Sequence, residues 1–245
     1  MNDLEKYFES NQDNLINKWM HYFDIYDQYF SKYRDKEIVF VEIGVFQGGS
    51  LQMWKEYFGP KAKIYGIDIN PECKQFEDEQ VTILIGDQAD KEFLKMLKEK
   101  IPTIDILLDD GGHTMQQQIN TFEVLFDHVK VGGLFLCEDL HTSYWWQYGG
   151  GHHRKDTFIE YTKGLIDDMH AWYSKSAKFK MTQYTRFIRA IHFYDSMVVI
   201  EKEEIKKPIS RTTGKMMLPE YYPTTTFLFK LAALKNKILN TLKER

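Results

Sequence analysis

From Glu37 onward the chain repeats one rhythm: a short apolar run, a Gly- or Asp-rich break, then a stretch with helical spacing. The apolar runs predict strands at 38–43, 63–68, 81–86, 104–109 and 131–137. Helices are expected near 49–58, 72–78, 90–99, 114–128 and 154–173. Regular alternation of this kind joins parallel strands through right-handed helical crossovers. Arg186–Ser196 and Met197–Lys202 then read as two strands with only a turn between them, which demands an antiparallel pair at the sheet edge. The expectation is an α/β fold: a seven-stranded, mostly parallel sheet with an antiparallel edge strand. A chain of 245 residues holds one well-cored domain of this type plus a small appendage.

Both ends differ from this middle. Leu15, Trp19, Phe23, Tyr26, Phe30 and Tyr33 recur at helical spacing and predict an N-terminal helical cap over 1–36, packed on a main domain over 37–205. The remainder, 206–245, begins with a polar linker, Lys206–Pro223, holding three of the six prolines. It closes on an amphipathic helix with Phe227, Leu231, Leu234, Ile238 and Leu242 on one side. Such a helix packs on the domain or a partner subunit, or lies peripherally on an anionic membrane through 227–243. No apolar run reaches bilayer length, so no transmembrane segment is expected. The N-terminus has no signal-peptide pattern, and Cys73 and Cys137 form no disulfide framework, which together favour a cytoplasmic location. A net charge of -4 argues against a nucleic-acid partner.

The chemistry gathers where strands end, the place at which open α/β sheets bind ligands. Asp109-Asp110-Gly111-Gly112-His113 follows the fourth run and Glu138-Asp139 the fifth. Four carboxylates and an imidazole placed there suit a hard cation with a base beside it. Asp109 reads as a cap for the helix starting near Thr114 or as a cofactor contact. The first strand enters Glu42-Ile43-Gly44-Val45-Phe46-Gln47-Gly48-Gly49-Ser50, where glycines let backbone amides approach a ligand. Asp68 ends the second strand 24 residues after Gly44, a spacing suited to ribose hydroxyls. Gly86-Asp87-Gln88 ends the third, where an acid or amide meets an adenine edge. His141 is a candidate auxiliary base or substrate contact. Tyr144, Trp145 and the Gly149–Gly151 run suit a mobile aromatic lid over a sugar, or a loop packed on a neighbouring subunit. His152 and His153 lack further ligands spaced for zinc. His21, Tyr22 and Tyr26 could reach the mouth of the pocket.

These motifs, in this order over about residues 20–205, resemble a class I S-adenosylmethionine-dependent methyltransferase with a Rossmann-like sheet. More narrowly they resemble the metal-dependent sugar O-methyltransferases of the macrocin and mycinamicin type, with cephalosporin-hydroxylase-like relatives. The resemblance implies S-adenosylmethionine on Glu42, Gly44, Gly48, Ser50 and Asp68, with Asp87 near the adenine. It implies Mg²⁺ on Asp110, Glu138 and Asp139, His113 as general base, and a homo-oligomer. The acceptor it implies is a hydroxyl of a sugar in a glycan or glycosylated small molecule, with His141, Tyr144 and Trp145 towards the substrate. One departure is Gly112, where the family often has serine. Rival readings are a catechol-type O-methyltransferase, which usually has Asp-Asn at 138–139, an iron-dependent oxygenase using His113 with carboxylates, and a non-enzymatic carbohydrate-binding protein.

Overall fold

Val39–Ile43 is buried along its whole length, which only a central strand covered on both faces can achieve. This strand, β1, pairs in parallel with β2 (Lys63–Asp68) on one side and β4 (Ile104–Asp109) on the other. Beyond β2 lies β3 (Val81–Ile85); beyond β4 lies β5 (Val129–Cys137), both parallel. The sheet order is β3-β2-β1-β4-β5-β7-β6. The chain therefore reverses its direction of winding between β1 and β4, and the crevice of the fold opens above those two strands. β7 (Met197–Lys202) runs antiparallel to β5, and β6 (Ile188–Tyr194) antiparallel to β7. The reversed strand is thus β7, one place inside the edge, while β6 forms the edge itself. The structure is a computed structural model that describes residues 1–176, 178–218, 231 and 234.

Helices cover both faces. Helix α1 (Asp3–Ser10), α2 (Tyr22–Phe30) and α3 (Gly49–Phe58) share one core layer with the sheet; α4 (Lys91–Lys100), α5 (Met115–Leu125) and α6 (Phe158–His170) pack on the other. A short α7 (Gln183–Phe187) leads into β6. Pro71–Phe76 is a 3-10 turn rather than the α-helix expected near 72–78. Pro71 opens it after the Asn70 cap, whose side chain accepts from Glu72 N at 3.0 Å.

The N-terminal cap consists of two helices packed on the sheet, with a non-helical stretch between them. Helices form at 3–10 and 22–30, but 11–21 carries no α-helix, so Leu15 and Trp19 leave the apolar stripe and stand 60% and 54% exposed. The rest of the stripe, Phe23, Tyr26, Phe30 and Tyr33, is core, and Tyr22 joins it. Phe30 stacks on Tyr26 at 5.6 Å and meets Phe40 of β1 edge-on at 6.0 Å and Trp54 of α3 at 5.7 Å.

Met1–Lys207 forms one compact unit and Pro208–Arg245 a second. Pro208–Leu218 carries neither helix nor strand. The expected helix over 227–243 falls outside the described residues apart from Leu231 and Leu234. Among the described residues no helix is long and apolar enough to cross a membrane.

Because Phe30 is fully buried between helix and sheet, Phe30→Ala should cost about 3–5 kcal/mol of unfolding free energy. Urea denaturation checks this: the midpoint should fall with little change of slope. A loss below about 1 kcal/mol would mean that α2 is peripheral to the core.

Candidate active site

The strand ends are aligned by hydrogen bonds that continue the sheet one residue past each strand. Gly44 N donates to Ile67 O at 2.8 Å, Asp110 N to Ile43 O at 2.9 Å, Gly86 N to Asp68 O at 2.9 Å and Glu138 N to Asp109 O at 2.9 Å. The turns after β1 to β5 therefore start at one level. At Gly44 (φ 96°) a Cβ would sit 2.0 Å from the Asp110 carbonyl oxygen, so the β1 turn can lie against the β4 turn only as glycine.

Asp110, His113 and Asp139 converge at the floor of this crevice. One ligand atom from each lies within 4.8 Å of the others. His113 Nε2 is 3.6 Å from Asp139 Oδ2 and 3.9 Å from Asp110 Oδ1. Both His113 (φ 56°) and Asp139 (φ 55°) occupy the left-handed region, costly for residues with a Cβ and commonest at functional positions. The Thr142 hydroxyl lies 3.0 Å from His113 O and 2.8 Å from Asp139 O, tying the two backbones together. His113 Nδ1 is buried without a hydrogen-bond partner, and Tyr22 OH donates to Asp139 Oδ1 at 2.8 Å.

Glu138 does not join this trio. Its carboxylate is buried and receives Lys18 Nζ at 3.1 Å on both oxygens, with Tyr26 OH donating to Oε1. Lys18 Nζ also donates to Asp110 Oδ2 and lies 3.9 Å from Glu42 Oε1. Burial alone would lower the Lys18 pKa; Asp110, Glu138 and Glu42 outweigh it and keep the ammonium charged. Glu42 is likewise turned inward, accepting from Ser50 Oγ at 2.8 Å and Trp54 Nε1 at 3.1 Å.

Above the floor is a cavity of about 770 Å³. Its walls come from Gly44–Gln47, Asp68–Asn70, Gly86–Gln88, Asp110–His113 and Leu15–Trp19. Asp68 lines it and anchors its first turn, accepting from Val45 N at 2.8 Å and Phe46 N at 3.1 Å. Ser50 and Asp87 also line it. Glu42, Gly48 and Asp109 do not; Gly48 (φ 74°) precedes α3 beside the Phe76 ring. Asp109 is fully buried, bonded by Gln88 Nε2 at 2.7 Å, and burial pushes its carboxyl up to about 6 against that bond. The cap of α5 is Thr114, in a capping box with Gln117.

At the mouth, Trp19, His141 and Trp145 stand in a row, with ring centroids 5.9 and 4.6 Å apart. His141 is oriented by Ser196 Oγ. Tyr148 continues the row towards His113. Tyr144 is exposed and does not line the cavity; Tyr22 does, whereas His21 bonds to Asp195 O at 3.0 Å.

Residues 41–140 match the family model of a methyltransferase domain. This chain carries a methyltransferase domain. It is 35% identical over 186 residues to the 8-demethyl-8-alpha-L-rhamnosyl tetracenomycin-C 2'-O-methyltransferase of Streptomyces olivaceus, covering 72% of this chain and 49% of that relative. It is 34% identical over 202 residues to the demethylmacrocin O-methyltransferase of Streptomyces fradiae, covering 77% of this chain and 51% of the relative. The chain thus spans about half the length of the curated relatives it matches. Among solved structures, the MycE methyltransferase from the mycinamycin biosynthetic pathway, in complex with Mg, SAH and mycinamycin VI, superposes with a TM-score of 0.71. The identity there is 30%, over 82% of this chain and 53% of that one.

Four residues that hold the site together escaped the sequence pattern: Lys18 in the N-terminal layer, and Gln88 as a brace, Gln117 and Thr142 beyond β3. Gln88 Oε1 accepts from Gly112 N at 3.1 Å while its amide holds Asp109. A Cβ at Gly112 would meet the Gln117 amide at 2.3 Å, so the glycine found where the resembled family has serine goes with this chain's Gln117 cap.

Glu42 gives the methyltransferase domain a pH signature. Burial raises its carboxyl to about 7, against the opposing pull of Lys18, Trp54 and Ser50. The folded protein keeps this proton over a range in which the unfolded chain, with an ordinary carboxyl near 4.5, has lost it. Stability therefore falls as pH rises from about 4.5 to about 7 and is level above. In chelator, urea unfolding at pH 5 and pH 8 should show a decline steeper by about 3 kcal/mol in the wild type than in Glu42→Gln. Parallel pH profiles would show that Glu42 stays ionised throughout.

Proposed function

We propose that the chain transfers the methyl group of S-adenosylmethionine to a hydroxyl of a sugar, with a divalent ion of the Mg²⁺ type assisting. The observation that carries this is the convergence of Asp110, His113 and Asp139 within 4.8 Å at the floor of the cavity formed by the turns after β1, β2 and β3. The donor set fits a hard ion: two carboxylate oxygens are turned towards one point, and the surrounding acids outnumber the single ammonium. It is the reverse of the two-imidazole, one-carboxylate set of iron oxygenases. When bound, the cofactor would supply the methyl group and the ion would polarise the acceptor oxygen.

The chain's residues then have separable tasks. Asp110 and Asp139 hold the ion, and Tyr22 fixes which oxygen of Asp139 is offered. His113 Nε2 faces the same point and takes the acceptor's proton as general base. Gly44 lets the β1 turn close against β4, and the amides of Val45 and Phe46, already bound by Asp68, shape the cofactor wall. Asp68 retains lone pairs for a ribose hydroxyl. Trp145 and His141 present flat surface at the mouth, suited to the apolar face of a sugar ring. Most of the barrier reduction would come from positioning an in-line transfer and from fixed charge. The sugar assignment rests on the relative whose name carries a rhamnosyl group and a 2'-O-methyl transfer.

The test separates base from ligand. His113→Ala should lower methyl transfer to a rhamnoside acceptor by about 10²–10⁴-fold, while calorimetric affinities for Mn²⁺ and S-adenosylhomocysteine stay within about threefold. Asp139→Ala should lose both turnover and Mn²⁺ binding. Full wild-type activity in excess chelator would overturn the metal's part, and absence of S-adenosylhomocysteine binding the whole reading.

A further inference from the structure

Leu15–Trp19 is the stretch of chain that the proposed chemistry leaves without a task. It carries neither helix nor strand, and burial alternates along it: Ile16 and Lys18 are buried, Leu15, Asn17 and Trp19 exposed. An extended segment shows this alternation when one side is fixed and the other free. The fixed side is held twice. A Cβ on Gly49 at the start of α3 would meet Asn14 O at 2.3 Å and Leu15 O at 2.6 Å, so the backbone lies directly on that helix. A few residues on, the Lys18 ammonium is bonded to Asp110 and Glu138 at the strand ends. The stretch lines the cavity, so an anchored strip presents Asn17 and Trp19 to its mouth.

Trp19 is also the outer end of a run of rings that begins at His113. Centroid to centroid, His113 lies 6.5 Å from Tyr148, Tyr148 6.0 Å from Trp145, Trp145 4.6 Å from His141 and His141 5.9 Å from Trp19. Every ring of the run belongs to a residue that lines the cavity. The run passes from the half-buried His113 and Tyr148 to the exposed Trp145 and Trp19. Each step is comparable to the width of one pyranose ring, so the run is longer than the single sugar that His113 and Trp145 serve.

We infer that Asn17 and Trp19 form an outer acceptor subsite for a second sugar ring, the one joined glycosidically to the sugar that is methylated. This rests on the sugar-methylating reading above and narrows its acceptor to a glycan of two or more residues. The polar groups beside the rings select a carbohydrate over an apolar group. A pyranose has an apolar C–H face and a rim of hydroxyls, and the Trp19 ring takes the face. The Asn17 amide, two residues away, offers donors and an acceptor to the rim. His141 has its Nδ1 on Ser196 Oγ, which keeps Nε2 for a hydroxyl between the two tryptophans. A wholly apolar ligand would strip water from these groups and leave them unpaired, at a cost in affinity.

Steady-state methyl transfer by the full chain to methyl α-rhamnoside and to the methyl glycoside of a rhamnose disaccharide tests the subsite. The wild type should show a KM for the disaccharide at least about tenfold below that for the monosaccharide. Trp19→Ala should raise the disaccharide KM by about tenfold, while kcat on either acceptor and the monosaccharide KM move by less than about threefold. Trp19→Phe keeps a ring and should hold the disaccharide KM within about threefold of the wild type. Asn17→Ala, at an exposed position, should raise the disaccharide KM alone and carries the test should Trp19→Ala fold poorly. A residue of merely structural importance would shift both acceptors together. Equal wild-type KM values for the two acceptors, or equal losses on both in the variants, would overturn the inference. A nitrophenyl rhamnoside that gains as much as the disaccharide would overturn the carbohydrate assignment. Wild-type transfer reports on the sugar reading separately: if neither rhamnose acceptor is methylated, that reading fails and takes this one with it.

Discussion

Four acids, Glu42, Asp110, Glu138 and Asp139, converge on one edge of a buried sheet, and one ammonium, Lys18, sits among three of them. Ionised carboxylates held out of water are costly unless paired and hydrogen-bonded, so the arrangement around them is constrained. Lys18 must come from outside the sheet, which takes the chain out of helical conformation between α1 and α2. Tyr22 and Tyr26, one turn apart on α2, must point their hydroxyls at Asp139 and Glu138. The N-terminal layer is thereby fixed to the sheet by apolar contact in its middle and by polar contact at the strand ends.

The same edge explains why the fold puts chemistry there. Reversal of winding between β1 and β4 separates the turns that follow them, and the hydrogen bonds running past the strand ends keep the five turns level. One side of the crevice then presents backbone amides and small residues, the other carboxylates and an imidazole. A cofactor with an adenosyl group and a separate charged reacting end suits such a division. Neither half would suffice alone: the glycine turn selects no chemistry, and the acids select no methyl donor.

How far the sequence foretold this depends on the range of each interaction. Strands were legible because burial on both faces writes a near-continuous apolar run into five or six neighbouring residues, as in Val39–Ile43, interrupted only by Glu42. Asp110, His113 and Asp139 were legible because they lie one to four residues past such runs. The segment 11–21 was not. Leu15 and Trp19 keep helical spacing with Phe23, but they serve as cavity wall, and nothing local distinguishes an apolar wall from an apolar stripe. Lys18 meets its partners 92 and 120 residues away, and a lone lysine in a polar stretch reads as solvated. Glu42, Glu138 and Asp109 show the complementary limit: position at a strand end was visible, but the direction of the side chain was not. Trp54 and Gln88 hold Glu42 and Asp109 away from the cavity, whereas Glu138 lines it with its carboxylate bonded by Lys18 and Tyr26.

His113 and Asp139 show how such a site keeps its shape. Each stands in a backbone conformation that its side chain disfavours, by about 1–3 kcal/mol per residue. Relaxing either one would rotate its side chain out of the trio, so the surroundings must hold both. One buried hydroxyl contributes to this, because Thr142 Oγ1 lies within reach of the carbonyls of both residues and shares its single proton between the β4 turn and the β5 turn. A linkage of this type makes the two strained residues interdependent: whatever reorients Asp139 also reaches His113 through a single oxygen atom. The distance between imidazole and carboxylate is therefore set by the backbone rather than by their mutual attraction, and the gap can stay open for a third group.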